Sequence, residues 1–392
     1  MCAEPSPEGW DDTQQLPAQK FASQALDVLA LNLPTKHVLP EAMRYAREAA
    51  AAADPDRRAS AHLVAAVMCE GCAEVMRKHL QELLAMVLAG ARDPHPRVRG
   101  DAAYCLGQMS CHLMPDMMDH HEAVMPVALE LLADPSPEVR KSGCYAVDQF
   151  AEQMEDARIV PYMELLMSRL MAILAGSAAD HETVDMALSA VASAAAAAEE
   201  AFAPFAPNIL PILKSYMSIT KDEALGCRAR ATECAALVMS ALGGEAAQAA
   251  GLEELSTMVM AGMELDYAEL REYAHCYFGH VAKLLQGDFA RYLPAVTAKA
   301  FESMKQADGM IGDDEPAARS SGIAIDVSSD DEDDDGAVWT QVRTGVVDEK
   351  ASACEALGIY AESTGAAFAP YLEQSMELAE GMAGYFVPEV RQ

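Results

Sequence analysis

The sequence predicts an all-α protein built as a solenoid of antiparallel helix pairs. Three observations carry that prediction: a recurring Asp-Pro to Arg punctuation, a second signature that alternates with it, and the lack of any long period-two strand pattern.

The punctuation comes first. Asp54-Pro55 leads to Arg57 and Arg58, Asp93-Pro94 to Arg97-Val98-Arg99, and Asp134-Pro135 to Glu138-Val139-Arg140, with steps of 39 and 41 residues between the aspartates. A degenerate copy keeps the Asp-to-Arg spacing from Asp222 to Arg228. Asp before Pro ends one helix and opens the next, because Pro tolerates the first helical turn and Asp can cap the exposed N–H groups there. Behind the Pro, apolar residues recur at helical spacing, as in Val98, Ala102, Leu106 and Met109. Small residues on that stripe (Ala102, Ala103, Gly143, Ala146) predict close approach of the paired helices.

The alternating signature marks the start of the other helix of each pair: Pro161-Tyr162, Pro204-Phe205, Arg291-Tyr292 and Pro370-Tyr371, at steps of 43, 87 and 79 residues. A period of this size is that of HEAT repeats. One helix pair cannot bury its own apolar face, so pairs must stack, giving a superhelix with convex and concave surfaces. The length divides into a right-handed stack of about eight pairs at ~40–47 residues each.

One stretch breaks the pattern. Residues 307–336 lose helical periodicity and hold eleven acids against one Arg, ending in Asp330, Asp331, Glu332, Asp333, Asp334 and Asp335. Low hydrophobicity with high charge predicts a disordered loop. The expected organisation is a disordered stretch over 1–14, HEAT repeats over 15–306, an acidic loop over 307–346 inside one repeat, and further repeats over 347–392.

Composition narrows the function. The 392 residues are 52% apolar but only 6% aromatic, a diet suited to close-packed helices. With 28 basic and 61 acidic residues the net charge is −33, which argues against direct binding to nucleic acid and favours a basic partner. The ten cysteines are scattered, consistent with reduced thiols in a cytosolic or nuclear protein. The acidic, Pro-rich start does not read as a signal peptide, and the longest apolar run, Met186 to Ala198, is too short and too weakly apolar to span a bilayer, so no membrane insertion is expected.

No catalytic constellation emerges. Cys69 and Cys72 lack the second pair that a zinc site needs, and His120-His121 and His181-Glu182 lack the spacing of a metalloprotease motif, so both histidine pairs read as solvated helix ends. No Walker loop, dinucleotide fingerprint or nucleophile elbow occurs. The chain is read as a non-enzyme with no cofactor.

Two sets of residues read as binding elements. On the second helices, the face opposite the core stripe carries Asp101, Tyr104 and Gln108, then Ser142, Tyr145, Gln149 and Glu152; Tyr104 and Tyr145, like Gln108 and Gln149, lie 41 apart, so stacking sets them in rows expected to line the concave surface. These rows are either binding residues or an ordinary solvated face. The acidic run Asp330 to Asp335 is either a solubility loop or an electrostatic trap for basic segments. Ser328 and Ser329 precede acids at a spacing an acidophilic kinase accepts, so phosphorylation would deepen the charge.

Several stretches resemble the importin-β (karyopherin-β) superfamily, in particular the branch of importins four and five: Leu26 to Pro34 (LDVLALNLP), Asp93 to Gln108 (DPHPRVRGDAAYCLGQ), Gly143 to Ala146 (GCYA), Phe368 to Glu373 (FAPYLE), and Val347 to Ala356 (VDEKASACEA) after a late acidic insertion. The resemblance implies a nuclear transport receptor shuttling between cytoplasm and nucleus. It would carry basic cargo such as histones or ribosomal proteins on its concave face and acidic loop, meet Phe-Gly nucleoporins between its outer helices, and release cargo to RanGTP. Family members are longer and begin with a Ran-binding domain, which puts Ran binding by this chain in question. Tyr385 to Arg391 resemble the opening of a further repeat helix, so a central-region fragment is expected. The alternative is a HEAT scaffold of another kind, such as a protein phosphatase scaffold subunit, which the late acidic insertion argues against.

Overall fold

A computed structural model describes residues 18–154, 158–176, 180–306, 322–326 and 339–382. The chain divides into two compact units, residues 1–205 and 206–392.

The first unit begins with α1 (Ala18–Asn32), which packs on α3 (Pro55–Gly71). Four pairs follow: α2 (Thr35–Ala50) with α3, α5 (Leu80–Gly90) with α6 (Pro96–His112), α7 (His121–Leu131) with α8 (Pro137–Glu152), and α9 (Met163–Gly176) with α10 (His181–Ala198). A single-turn helix, α4 (Ala73–Arg77), joins α3 to α5. Within each pair we call the first helix A and the second B. The B helices pack side by side in order, α3 on α6, α6 on α8, and α8 on α10.

The second unit has three pairs: α11 (Ala206–Met217) with α12 (Leu225–Leu242), α14 (Leu252–Gly262) with α15 (Ala268–Leu285), and α16 (Leu293–Lys305) with α17 (Thr344–Thr364). The short α13 (Gly244–Ala249) precedes α14, and α18 (Ala369–Met382) follows α17. Here too the B helices form the packed row, α12 on α15 and α15 on α17.

The punctuation works locally as its chemistry requires. Pro55, Pro96 and Pro137 open α3, α6 and α8, where their missing N–H costs nothing. One to three residues earlier, Asp54, Asp93 and Asp134 each accept a hydrogen bond from the backbone N–H two residues on, at 3.2, 2.8 and 2.9 Å. The predicted stripe of Val98, Ala102, Leu106 and Met109 is buried, each such large side chain contributing roughly 1.5–3 kcal/mol of hydrophobic stabilisation. Gly143 sits where a Cβ would lie 3.1 Å from Leu131, so the approach of α8 to α7 depends on a missing side chain.

The alternating signature is a tight turn between a B helix and the next A helix. Each of Val160–Tyr162, Glu199–Phe205, Gln286–Arg291 and Gly365–Phe368 is a 3₁₀ turn leading into an A helix. In three of them a buried Phe meets the signature aromatic three residues on: Phe202 with Phe205, Phe289 with Tyr292, and Phe368 with Tyr371, at 5.9, 5.4 and 5.8 Å between ring centroids. The B helix ends with positive φ at Glu199 (46°), Gln286 (50°) and Gly365 (52°).

The insertion departs from expectation. Gly322–Asp326 (β1) pairs antiparallel with Trp339–Arg343 (β2), Gly322 opposite Arg343 and Asp326 opposite Trp339. Losing the helical period does not exclude pairing, and Ile323, Ile325, Trp339 and Val342 are good strand formers. Helix α17 also starts at Thr344, inside the range assigned to the loop. The run Asp330 to Asp335, Ser328, Ser329, residues 1–14 and Tyr385 to Arg391 lie outside the described residues.

His181–Met217 is long and apolar enough by composition to be weighed as a membrane span. Its alanines are instead core: Ala187, Ala190, Ala194 and Ala195 are fully buried, and the backbone turns at Glu199.

Candidate functional site

The recurring Arg makes a ladder between repeats. Arg58 donates to both carboxylate oxygens of Asp93, one repeat ahead, at 2.8 and 3.0 Å, while its third nitrogen reaches the carbonyls of Ala52 and Ala53. Arg99 does the same with Asp134, at 2.7 and 2.9 Å, and with the carbonyls of Asp93 and Pro94. A planar fork is needed to meet a carboxylate and two carbonyls at once, which is why Arg and not Lys recurs. The Arg58 hydrogen bond holds the Asp93 carboxyl below its usual range. Burial pushes Asp134 up, but the bonds from Arg99 and from Ser136 N–H outweigh it and leave this carboxyl low too.

The second unit builds the ladder differently. Arg228, the degenerate copy, is buried and donates to the carbonyls of Ile219 and Met258, and burial lowers its pKa. Arg271 donates to Glu349 at 2.9 Å, across the whole insertion, and Gln306 joins the same oxygen at 3.1 Å.

Between these ladders lie the exposed faces of the B helices. In the first unit Tyr104 of α6 stacks on Tyr145 of α8, with centroids 5.6 Å apart and planes 24° apart, and Gln108 donates to the Tyr145 hydroxyl. Tyr145 lies where a Cβ on Gly107 would clash, so that glycine makes room for the ring. Burial pushes the Tyr145 hydroxyl up to about 12. Gln149 makes a long contact of 3.4 Å with its neighbour Asp148, which in turn accepts from Ser193 of α10 at 2.6 Å. Glu152 is exposed at the end of α8. Asp101 stands apart from the tyrosines in character: it is largely buried, one carboxylate oxygen has no partner among the described residues, and burial pushes it up to about 6. Of the two expected rows, the tyrosines stack on each other, whereas Gln108 meets Tyr145 and Gln149 meets Asp148.

Sequence reasoning missed the corresponding face of the second unit. Arg230 of α12 pairs with Glu233 at 2.7 Å, approaches Glu269 of α15 at 3.8 Å, and lies 5.0 Å over the ring of Tyr273. Beside them Glu272 is pushed up to about 7, by burial and then by the charges of Asp348, Glu269 and Glu233. A signal was present: Arg230 and Tyr273 each follow the ladder Arg by two residues, as Asp101 and Ser142 do.

Other candidates resolve into packing. Cys69 is buried, bonds to the Ala65 carbonyl, and has its thiol pKa raised by burial. Among the described residues no three His, Cys, Asp or Glu are grouped to hold a metal. His120-His121 and His181-Glu182 lie at helix ends; His121 hydrogen-bonds Tyr162 of the next repeat at 3.1 Å, and the exposed Glu182 receives Lys141 at 2.7 Å.

This geometry defines a HEAT-repeat α-solenoid. The HEAT-like repeat model matches residues 55–109 and the HEAT repeat model residues 124–154. Over 98% of its length the chain is 26% identical to a probable importin subunit beta-4 of Schizosaccharomyces pombe, and over 91% it is 27% identical to importin-4 of Mus musculus. Kap121p bound to Pho4p superposes with a TM-score of 0.81 at 25% identity over 98% of the chain, and Kap121p bound to Nup53p with 0.80. The homologues of the chain are thus importins of the karyopherin type, alike over nearly all of its length. It spans 37% of the S. pombe relative, 34% of the mouse one and 37% of Kap121p.

Proposed function

We propose that this chain is the cargo-holding part of a nuclear import receptor that shuttles between cytoplasm and nucleus. What carries the reading is its likeness, over 98% of its length, to a karyopherin solved with protein partners. Basic segments of cargo, such as those of histones or ribosomal proteins, lie along the B-helix faces, taken as the concave surface, and against the acidic run of the insertion. Three features support this: the −33 charge, the stacked tyrosines with their amide neighbours, and the carboxylates around Arg230. A groove of about 270 Å³ between α2 and α5, lined by Leu39, Met43, Val75 and Leu83, is of the apolar kind that takes a Phe-Gly segment of a nucleoporin. Release is driven by RanGTP competing with cargo, a coupling by differential binding that needs no chemistry on this chain.

The test is binding of a lysine-rich histone-tail peptide, followed by fluorescence anisotropy. Replacing Asp330, Asp331, Asp333, Asp334 and Asp335 together by Asn weakens binding strongly, whereas any single replacement does little, since an exposed charge pair is worth only ~0.2–1 kcal/mol. High salt mimics the five-fold variant. An affinity that is absent, or indifferent to both salt and the replacement, sinks the reading.

A further inference from the structure

Arg140 keeps half of the ladder arrangement. In Arg58 and Arg99 the Nη1 group holds two carbonyls of the turn before its own helix, which leaves the Nε and Nη2 edge to grip the aspartate of the next repeat. Arg140 has the same anchor, with Nη1 donating to the carbonyls of Asp134 and Pro135 at 2.8 and 3.2 Å. Its outer edge meets no carboxylate among the described residues. At the 35-residue offset where Asp93 and Asp134 stand in the earlier rungs, the sequence has Ala175. The following acid, Asp180, caps α10 instead, accepting from the Thr183 N–H and hydroxyl at 3.2 and 2.6 Å.

A groove of about 260 Å³ lies beside this edge, lined by Leu132, Asp134, Arg140, Arg169, Ile173 and Gly176. Arg169, exposed on α9, brings a second guanidinium to it. Asp134 is already committed, since both of its oxygens accept from Arg99 and Ser136 N–H donates to one of them. A Cβ on Gly176 would meet nothing within 4 Å, so the end of α9 leaves the groove open.

We propose that this groove is a carboxylate-binding site, in which an aspartate or glutamate of a partner segment completes the Arg140 rung. The ligand chemistry is that of the chain's own rungs: the same anchored guanidinium, in two neighbouring repeats, takes a carboxylate through two parallel bonds of 2.7–3.0 Å. Leu132 and Ile173 give the groove an apolar side, which favours an acid with an apolar neighbour over a bare anion. The net charge of −33 repels such a segment at long range. That repulsion is screened beyond about 8 Å at physiological ionic strength, whereas a fork pair in contact persists. The ligand is opposite in sign to the basic segments of the cargo reading, so the two stand or fall separately.

The experiment titrates the full chain, at physiological ionic strength, with an acetylated and amidated Gly-Asp-Leu-Gly peptide, with its Asn counterpart and with inorganic phosphate. The readout is the Arg140 side-chain Nε–H resonance, assigned by its loss in Arg140→Lys. The Asp peptide is expected to move that resonance and the Asn peptide to leave it in place. Gly176→Asp puts an acid of the chain's own into the groove; it should move the same resonance without ligand and weaken the peptide about ten-fold or more, the worth of a hydrogen-bonded charge pair. Arg169→Gln, at an exposed position, should weaken it about three-fold, and this variant reads the site even where Arg140→Lys folds poorly. An Arg140 signal that the Asp peptide does not move, or that both peptides move alike, overturns the site. A response to phosphate alone overturns the carboxylate assignment, and a Gly176→Asp form that binds the peptide as the parent does overturns the location.

Discussion

The two units solve the same problem with different residues. In the first, two rungs are alike, Arg58 meeting Asp93 and Arg99 meeting Asp134, each pair 35 residues apart, while Arg140 donates to the carbonyls of Asp134 and Pro135. In the second, Arg228 donates to the carbonyls of Ile219 and Met258, and Arg271 finds Glu349 at a separation of 78 residues. The difference of 43 residues lies in the insertion, and Gln306, at the 35-residue position, joins Glu349 there. A ladder rung thus tolerates a long interruption when its two ends are held together. Loop closure entropy grows only slowly with length, so the added chain costs the rung little.

The largest test of that comparison is to remove each arginine. Glu349 is fully buried, one of its oxygens has no partner among the described residues and the other would keep only the neutral Gln306, so Arg271→Ala strands a buried charge and is expected to cost about 3–5 kcal/mol in urea unfolding. Arg99→Ala leaves Asp134 9% exposed, with Ser136 N–H still donating to it, and should cost less, about 2–3 kcal/mol. Equal costs would show that the interrupted rung is no more dependent on its pair than the regular one.

A smaller effect sharpens the comparison at the turns. The same positive-φ position is Glu199 in the first unit and both Gln286 and Gly365 in the second. A side chain there carries strain that glycine avoids, so Glu199→Gly and Gln286→Gly should each raise stability by about 1 kcal/mol, read as an increased melting temperature. A loss in either would mean that the side chain contributes more than the strain it carries.

A last comparison, visible only as a pH dependence, sets the acids on the two B faces side by side. Glu272 is raised from 4.5 to about 7, and Asp101 from 3.8 to about 6. A raised carboxyl binds its proton more tightly folded than unfolded, so stability falls as pH rises from the unfolded value to the folded one. Glu272→Gln should therefore melt at the same temperature as the parent near pH 4 and higher at pH 8. Asp101→Asn should show the same gain, complete by about pH 7 because its window closes one unit lower.

Much of this was legible in the sequence, and the reason is local. Asp54, Asp93 and Asp134 before proline, the apolar stripe from Val98 to Met109, and the Pro-aromatic turns all act within a few residues of themselves, so their spacing fixes helix ends and the repeat without knowledge of the fold. The contact of Tyr104 with Tyr145 was legible because a regular repeat carries equal spacing into adjacency. The Arg230 cradle was not, since its members come from α12 and α15 at unequal offsets and no single helix displays them together.

The sequence by itself therefore determined the all-α repeat, its period, and the place of its interruption, because helix signals are short-range and recur. Only the tertiary structure decided which carboxylate each ladder arginine meets, that Glu349 stands in for the missing aspartate beyond the insertion, and that Arg230 lies in an acid and aromatic box. Those are choices among acids of like charge along an acidic chain, and distance in space, not position in sequence, makes them.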